Sequence, residues 1–133
     1  MKIRLLAALA VLVSGYVHLH LWTTGVKDQH VVGPAFMVNV VAAVVIAVLL
    51  LVWRGWEPPL LATGFGAATI VAFVISATVG LYGVHEHWTG SLVWTAFIAE
   101  TVAIVAGLTA FWREGRRPQL RHSHGGIRRP TGA

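Results

Sequence analysis

The residues able to do chemistry in this chain are few, and their spacing gathers them into one layer. His85, Glu86 and His87 lie together in the stretch 81–88, His18 and His20 stand near the end of the first apolar run, and Asn39 and Glu100 sit inside two later runs. Cysteine is absent, which excludes disulfides, thiolate nucleophiles and Cys-based metal centres and leaves imidazole and carboxylate as the strong ligand types. Such a donor set suits Zn(II) or Cu(II) better than Mg or Ca. In an extended loop, residues two apart point the same way, so His85 and His87 would chelate together, with His18 as a third ligand and Glu86 as a further ligand or outer-sphere partner. A haem alternative pairs His18 with His87, small residues of the third helix admitting the porphyrin. The plainer alternative makes these polar loop residues at a headgroup boundary.

Glu100 has two readings of its own. A carboxyl surrounded by hydrocarbon favours its uncharged form and then joins helices by hydrogen bonding, with Asn39 or His18 as the expected partner. The other reading is a proton relay in a small proton-coupled transporter, which with four helices would have to act as an oligomer. One ionisable residue per chain makes a thin pathway, so the helix-joining role is preferred.

The elements that hold these residues are membrane helices. A chain of 133 residues that is 56% hydrophobic and 11% charged has a membrane composition rather than that of a soluble domain. Apolar runs at about 3–22, 34–53, 60–82 and 91–112 each reach the roughly 20 residues that a bilayer core requires. The expectation is an all-α, up-down bundle of four transmembrane helices over 1–112, followed by a basic, disordered tail over 113–133. The connections contain breakers: Gly25 and Gly33, then Gly55 with Pro58 and Pro59, then Gly83 and Gly90. Lys2 and Arg4 before an apolar run also begin secretory signals, but Ser14, Gly15 and Tyr16 do not form an A-x-A site, so a retained helix is expected.

Charge sets the orientation. Lys2, Arg4, Arg54, Arg113, Arg116, Arg117, Arg121, Arg128 and Arg129 fall on one side of a four-span topology, and only Lys27 falls on the other. This asymmetry predicts cytoplasmic termini in a cell-membrane protein, and it explains the net charge of +5 without a nucleic-acid partner. Trp22, Trp88 and Trp94 mark one boundary, and Trp53, Trp56 and Trp112 the other.

Small residues predict the packing faces. These are Gly64, Ala68, Ala72, Ser76 and Gly80 in the third run, Ala96, Ala99, Ala103, Ala106, Gly107 and Ala110 around Glu100 in the fourth, and Ala35, Asn39, Ala43 and Ala47 in the second. His18 shares a face with Ser14 and Gly15, whereas His20, about 200° away, shares one with Tyr16, Val13 and Leu9; His18 is therefore expected to point inward.

The run His18, Leu19, His20, Leu21, Trp22, followed by Val32, Gly33, Pro34, Ala35, Phe36 and Asn39, resembles small four-helix integral membrane proteins of actinobacteria. The resemblance covers the first two helices and implies an intact membrane protein; it carries no activity, cofactor or catalytic residue. The expected function is a non-enzymatic accessory or interaction role, with the bilayer as partner and a homo-oligomer or larger membrane complex as the assembly. Metal or haem binding is the first alternative and proton-coupled transport the second.

Overall fold

The computed structural model describes residues 1–83, 85 and 87–115, and among them the chain is all-α. Its helices are α1 (Lys2–Leu21), α2 (Val32–Val52), α3 (Glu57–Thr78) and α4 (Ser91–Gly115). All four are long and apolar enough to cross a membrane. The tail expected to be disordered lies, from residue 116 onward, outside the described residues, as does Glu86.

The helix ends differ from the sequence expectation for local reasons. α2 and α3 start at Val32 and Glu57, ahead of the expected 34 and 60. Pro34, Pro58 and Pro59 lie within first turns, where the missing N–H has no intrahelical acceptor to lose. α3 stops at Thr78 and does not reach 82, because Gly80 takes a left-handed φ of 83° and Tyr82 and Gly83 follow at 49° and 82°. α1 does not break at residue 22 but loosens into a π turn over Trp22–Val26, in which the Lys27 N–H donates to the Trp22 carbonyl at 3.2 Å. α4 continues to Gly115, three residues beyond the expected 112.

Contacts between helix ends fix the arrangement. Arg4 at the start of α1 reaches Leu50 at the end of α2 and Glu114 at the end of α4, while His18 at the far end of α1 packs on Phe36 near the start of α2. Neighbouring helices are therefore antiparallel, and the bundle has a basic end, with Arg4 and Glu114, and a histidine end, with His18 and Leu81. α1 packs along α2 and α4, and α3 packs along α4, but α2 and α3 meet sparsely.

Backbones approach closely in the well-packed pairs. A Cβ on Gly15 would stand 2.6 Å from that of Ala43, one on Gly66 2.6 Å from the Glu100 carbonyl oxygen, and one on Gly107 2.7 Å from the Pro59 carbonyl oxygen. The buried core is correspondingly small-sided, with Ala7, Ala8 and Val11 of α1 against Ala43, Ala47 and Leu50 of α2 and Ala103 and Ala106 of α4. The α4 face matches the sequence reading closely: Ala99, Glu100, Ala103, Ala106, Gly107 and Ala110 are all buried.

The α3 stripe does not match. Gly64 and Ala68 are exposed, and the buried positions are Pro58, Pro59, Ala62, Phe65, Gly66 and Ser76. A row of residues four apart advances 400° per step and drifts about 40° around the helix each time, so five such residues cannot stay on one face. Ala35 of the α2 stripe is likewise exposed. Threonines on these helices return their hydroxyl protons to carbonyls four residues back, as Thr63 does to Pro59 at 3.0 Å and Thr109 to Val105 at 2.7 Å, which satisfies them without a partner helix.

Candidate functional site

Two polar sites stand at opposite ends of the bundle. At the basic end the spacing of residues 4, 7, 8, 11, 14 and 18 runs down the inward face of α1, and this places Arg4 against the core, only 6% exposed. All three of its guanidinium nitrogens donate. Nε donates to the Leu50 carbonyl at 2.8 Å, Nη1 donates to the Gly55 carbonyl at 3.1 Å, and Nη1 also pairs with the Glu114 carboxylate at 2.6 and 2.7 Å. Nη2 donates to the Trp53 carbonyl. Arg4 thereby caps the C-terminus of α2, whose last carbonyls have no helical donor, and ties α1, the α2–α3 turn and α4 together. Charge counting from sequence treats Arg4 only as an orientation signal and misses this role. The signal lies in its i+3 and i+4 spacing to Ala7, Ala8 and Val11.

At the histidine end the same face of α1 carries Ser14 and His18. Ser14 is fully buried and its hydroxyl donates to Glu100 Oε1 at 3.0 Å, linking α1 to α4. His18 Nδ1 lies 2.8 Å from the Ser14 carbonyl oxygen. A carbonyl only accepts, so Nδ1 carries the proton and Nε2, on the far side of the ring, keeps its lone pair in the neutral imidazole. The ring rests against Phe36 with centroids 4.9 Å apart. His18 points inward as expected and His20 is exposed beside Tyr16. Glu100 is 3% exposed, but its partner is Ser14 and neither Asn39 nor His18. Asn39 instead faces α3, where its amide nitrogen donates to Thr69 Oγ1 at 3.1 Å.

His18 and Glu100 both line a cavity of about 110 Å³. Val17, Leu21, Val32, Phe36, Phe73, Leu81, Leu92 and Phe97 form most of its wall, with Thr69 and Ser76 as the other polar residues. Two residues between α3 and α4, Leu81 and Trp88, cover it. Leu81 lines it directly, and Trp88 folds back edge-on against Phe73 and Phe97, at centroid distances of 4.6 and 5.7 Å. Gly80 holds a φ of 83° that favours glycine, and a Cβ there would lie 2.6 Å from Cε1 of the His85 imidazole.

The expected metal set is not assembled among the described residues: His18, His85 and His87 do not form a group of three ligands, and Glu86 lies outside those residues. Chemically, the chamber offers an apolar volume with a lone-pair nitrogen and a carboxyl at its edge, which is suited to holding a small guest by shape and one or two hydrogen bonds. Comparison of the chain with protein-family models, curated proteins and solved structures gives no match.

Proposed function

We propose that this chain is a four-pass cell-membrane protein with cytoplasmic termini and a non-enzymatic accessory role, in which the chamber at the histidine end binds a small, mainly apolar molecule. The observation that carries this reading is that His18 of α1 and Glu100 of α4 both line one apolar cavity of about 110 Å³. Cavities of this kind are rare in packed interiors and leave their lining atoms without contacts, which a guest restores. The orientation rests on nine of the ten Lys and Arg residues falling on one side. It places the chamber in the outer leaflet half.

Toluene is the simplest probe. Added at tenfold excess over its Kd, it should stabilise the detergent-purified protein by about 1.4 kcal/mol, read as a rise in Tm. Ala96→Phe fills the chamber from its wall and should abolish the rise. An unchanged Tm in the native chain, or an equal rise in Ala96→Phe, would contradict the proposal. Impermeant labelling of single cysteines at Gln29 and Gly90, but not at Gly55, tests the orientation in intact cells.

A further inference from the structure

The chamber adjoins a second space. Where α2 and α3 meet sparsely, a groove of about 340 Å³ runs along their halves at the histidine end, walled by Ala35, Val38 and Ala42 on one side and Ala68 and Ala72 on the other. Ala35, Val38 and Ala68 are exposed on the bundle's circumference, the side that meets acyl chains in a bilayer. His18, Val32, Phe36, Thr69, Ala72 and Leu81 line both spaces. In a bilayer, acyl chains would then be the chamber's neighbour along this groove.

Two polar atoms at this junction, His18 Nε2 and Asn39 Oδ1, are acceptors without a donor among the described residues. His18 Nδ1 gives its proton to the Ser14 carbonyl and leaves Nε2 with a lone pair. Thr69 gives its only hydroxyl proton to the Phe65 carbonyl at 2.8 Å, so it must accept from the Asn39 amide nitrogen, and this fixes the amide with Oδ1 buried and without a partner among the described residues. Against His18 Nε2 a carbonyl, ether or phosphate oxygen would set acceptor to acceptor, whereas a hydroxyl brings the missing proton. Volume limits the rest of the molecule. An apolar cavity of about 150 Å³ holds benzene, so a chamber of about 110 Å³ admits a head no larger than one small ring. The larger groove suits a single unbranched tail.

We infer that the guest is a lipid-soluble alcohol or phenol with a compact head and an apolar tail, which enters sideways from the bilayer between α2 and α3, sets its hydroxyl against His18 Nε2 and leaves its tail in the groove. The inference rests on the chamber being a binding site, and it adds the guest's chemistry and its route.

Three probes in nanodiscs of zwitterionic lipid test it: 4-nonylphenol, 4-nonylanisole and 4-propylphenol. The phenol should bind about five- to tenfold more tightly than the anisole, which is the worth of one hydrogen bond, and His18→Phe should erase that preference. The longer phenol should outbind the shorter in the native chain but not in Ala68→Trp, which blocks the groove from a lipid-facing position. A diazirine at the tail end of 4-nonylphenol should crosslink to Ala35, Val38 and Ala68. Equal binding of phenol and anisole to the native chain, or crosslinks spread evenly over α1 and α4, would overturn the inference. Toluene stabilisation without phenol preference sinks this inference alone, whereas loss of both sinks the chamber as a site.

Discussion

The two ends of this bundle treat buried polarity in opposite ways. At the basic end Arg4 brings a full charge below the surface, and each of its three nitrogens donates to one or more of the Leu50, Trp53 and Gly55 carbonyls and the Glu114 carboxylate. At the histidine end Ser14, His18 and Glu100 form a shorter chain that leaves His18 Nε2 over, and it borders empty volume instead of packed side chains. Both ends use the same face of α1. A saturated polar group acts as a fastener, and one left partly unsatisfied beside a cavity is available to something else.

The largest effect expected from this contrast is at Arg4. Arg4→Met leaves Glu114 and three carbonyls without their donor and should cost about 3 kcal/mol of stability, measured by unfolding in mixed micelles. Replacing Glu114 by Leu in the same chain should recover part of the loss, since the uncompensated carboxylate is then gone. If Arg4→Met proves as stable as the native protein, the basic end is not a fastener. Packing at Gly107 comes next. Gly107→Val forces side-chain atoms onto Thr63 and Pro59 and should cost about 1–3 kcal/mol, while Gly64→Ala on the exposed face of α3 should stay within about 0.5 kcal/mol.

Smaller still is the effect at the histidine end. Glu100→Gln keeps an acceptor for Ser14 and should change stability by less than about 1 kcal/mol, whereas Glu100→Ala strands the Ser14 hydroxyl and should cost about 1–2 kcal/mol in the same assay. A loss in Glu100→Gln matching that in Glu100→Ala would mean that the carboxyl does more than receive Ser14. His20→Ala should be nearly neutral, because the ring is exposed on the outer face of α1.

Much of this architecture is legible in the amino-acid sequence. Helix number follows from run length, and the α4 face and the inward turn of His18 follow from 3.6-residue periodicity, because small and polar residues there repeat with the helix. The α3 face misleads because a four-residue repeat looks regular in sequence while drifting around the helix. Long-range partners are not legible. Ser14 with Glu100 and Arg4 with Glu114 are 86 and 110 residues apart, and single-sequence spacing says nothing of which helices become neighbours. The chamber is invisible in sequence for a further reason. It is a place where side chains fail to fill space, made jointly by residues such as Val17, Phe36, Phe73 and Phe97, each of which reads alone as ordinary core.

Diffraction from crystals pressurised with xenon probes the contrast between the two ends most directly, since xenon enters dry apolar cavities and is excluded from packed cores. The account predicts one well-occupied xenon atom between Phe36, Phe73 and Phe97 in the chamber beside His18 and Glu100, and none among Arg4, Leu50 and Glu114. Xenon at the basic end, or only on the outer surfaces of the helices with the chamber unoccupied, would contradict it.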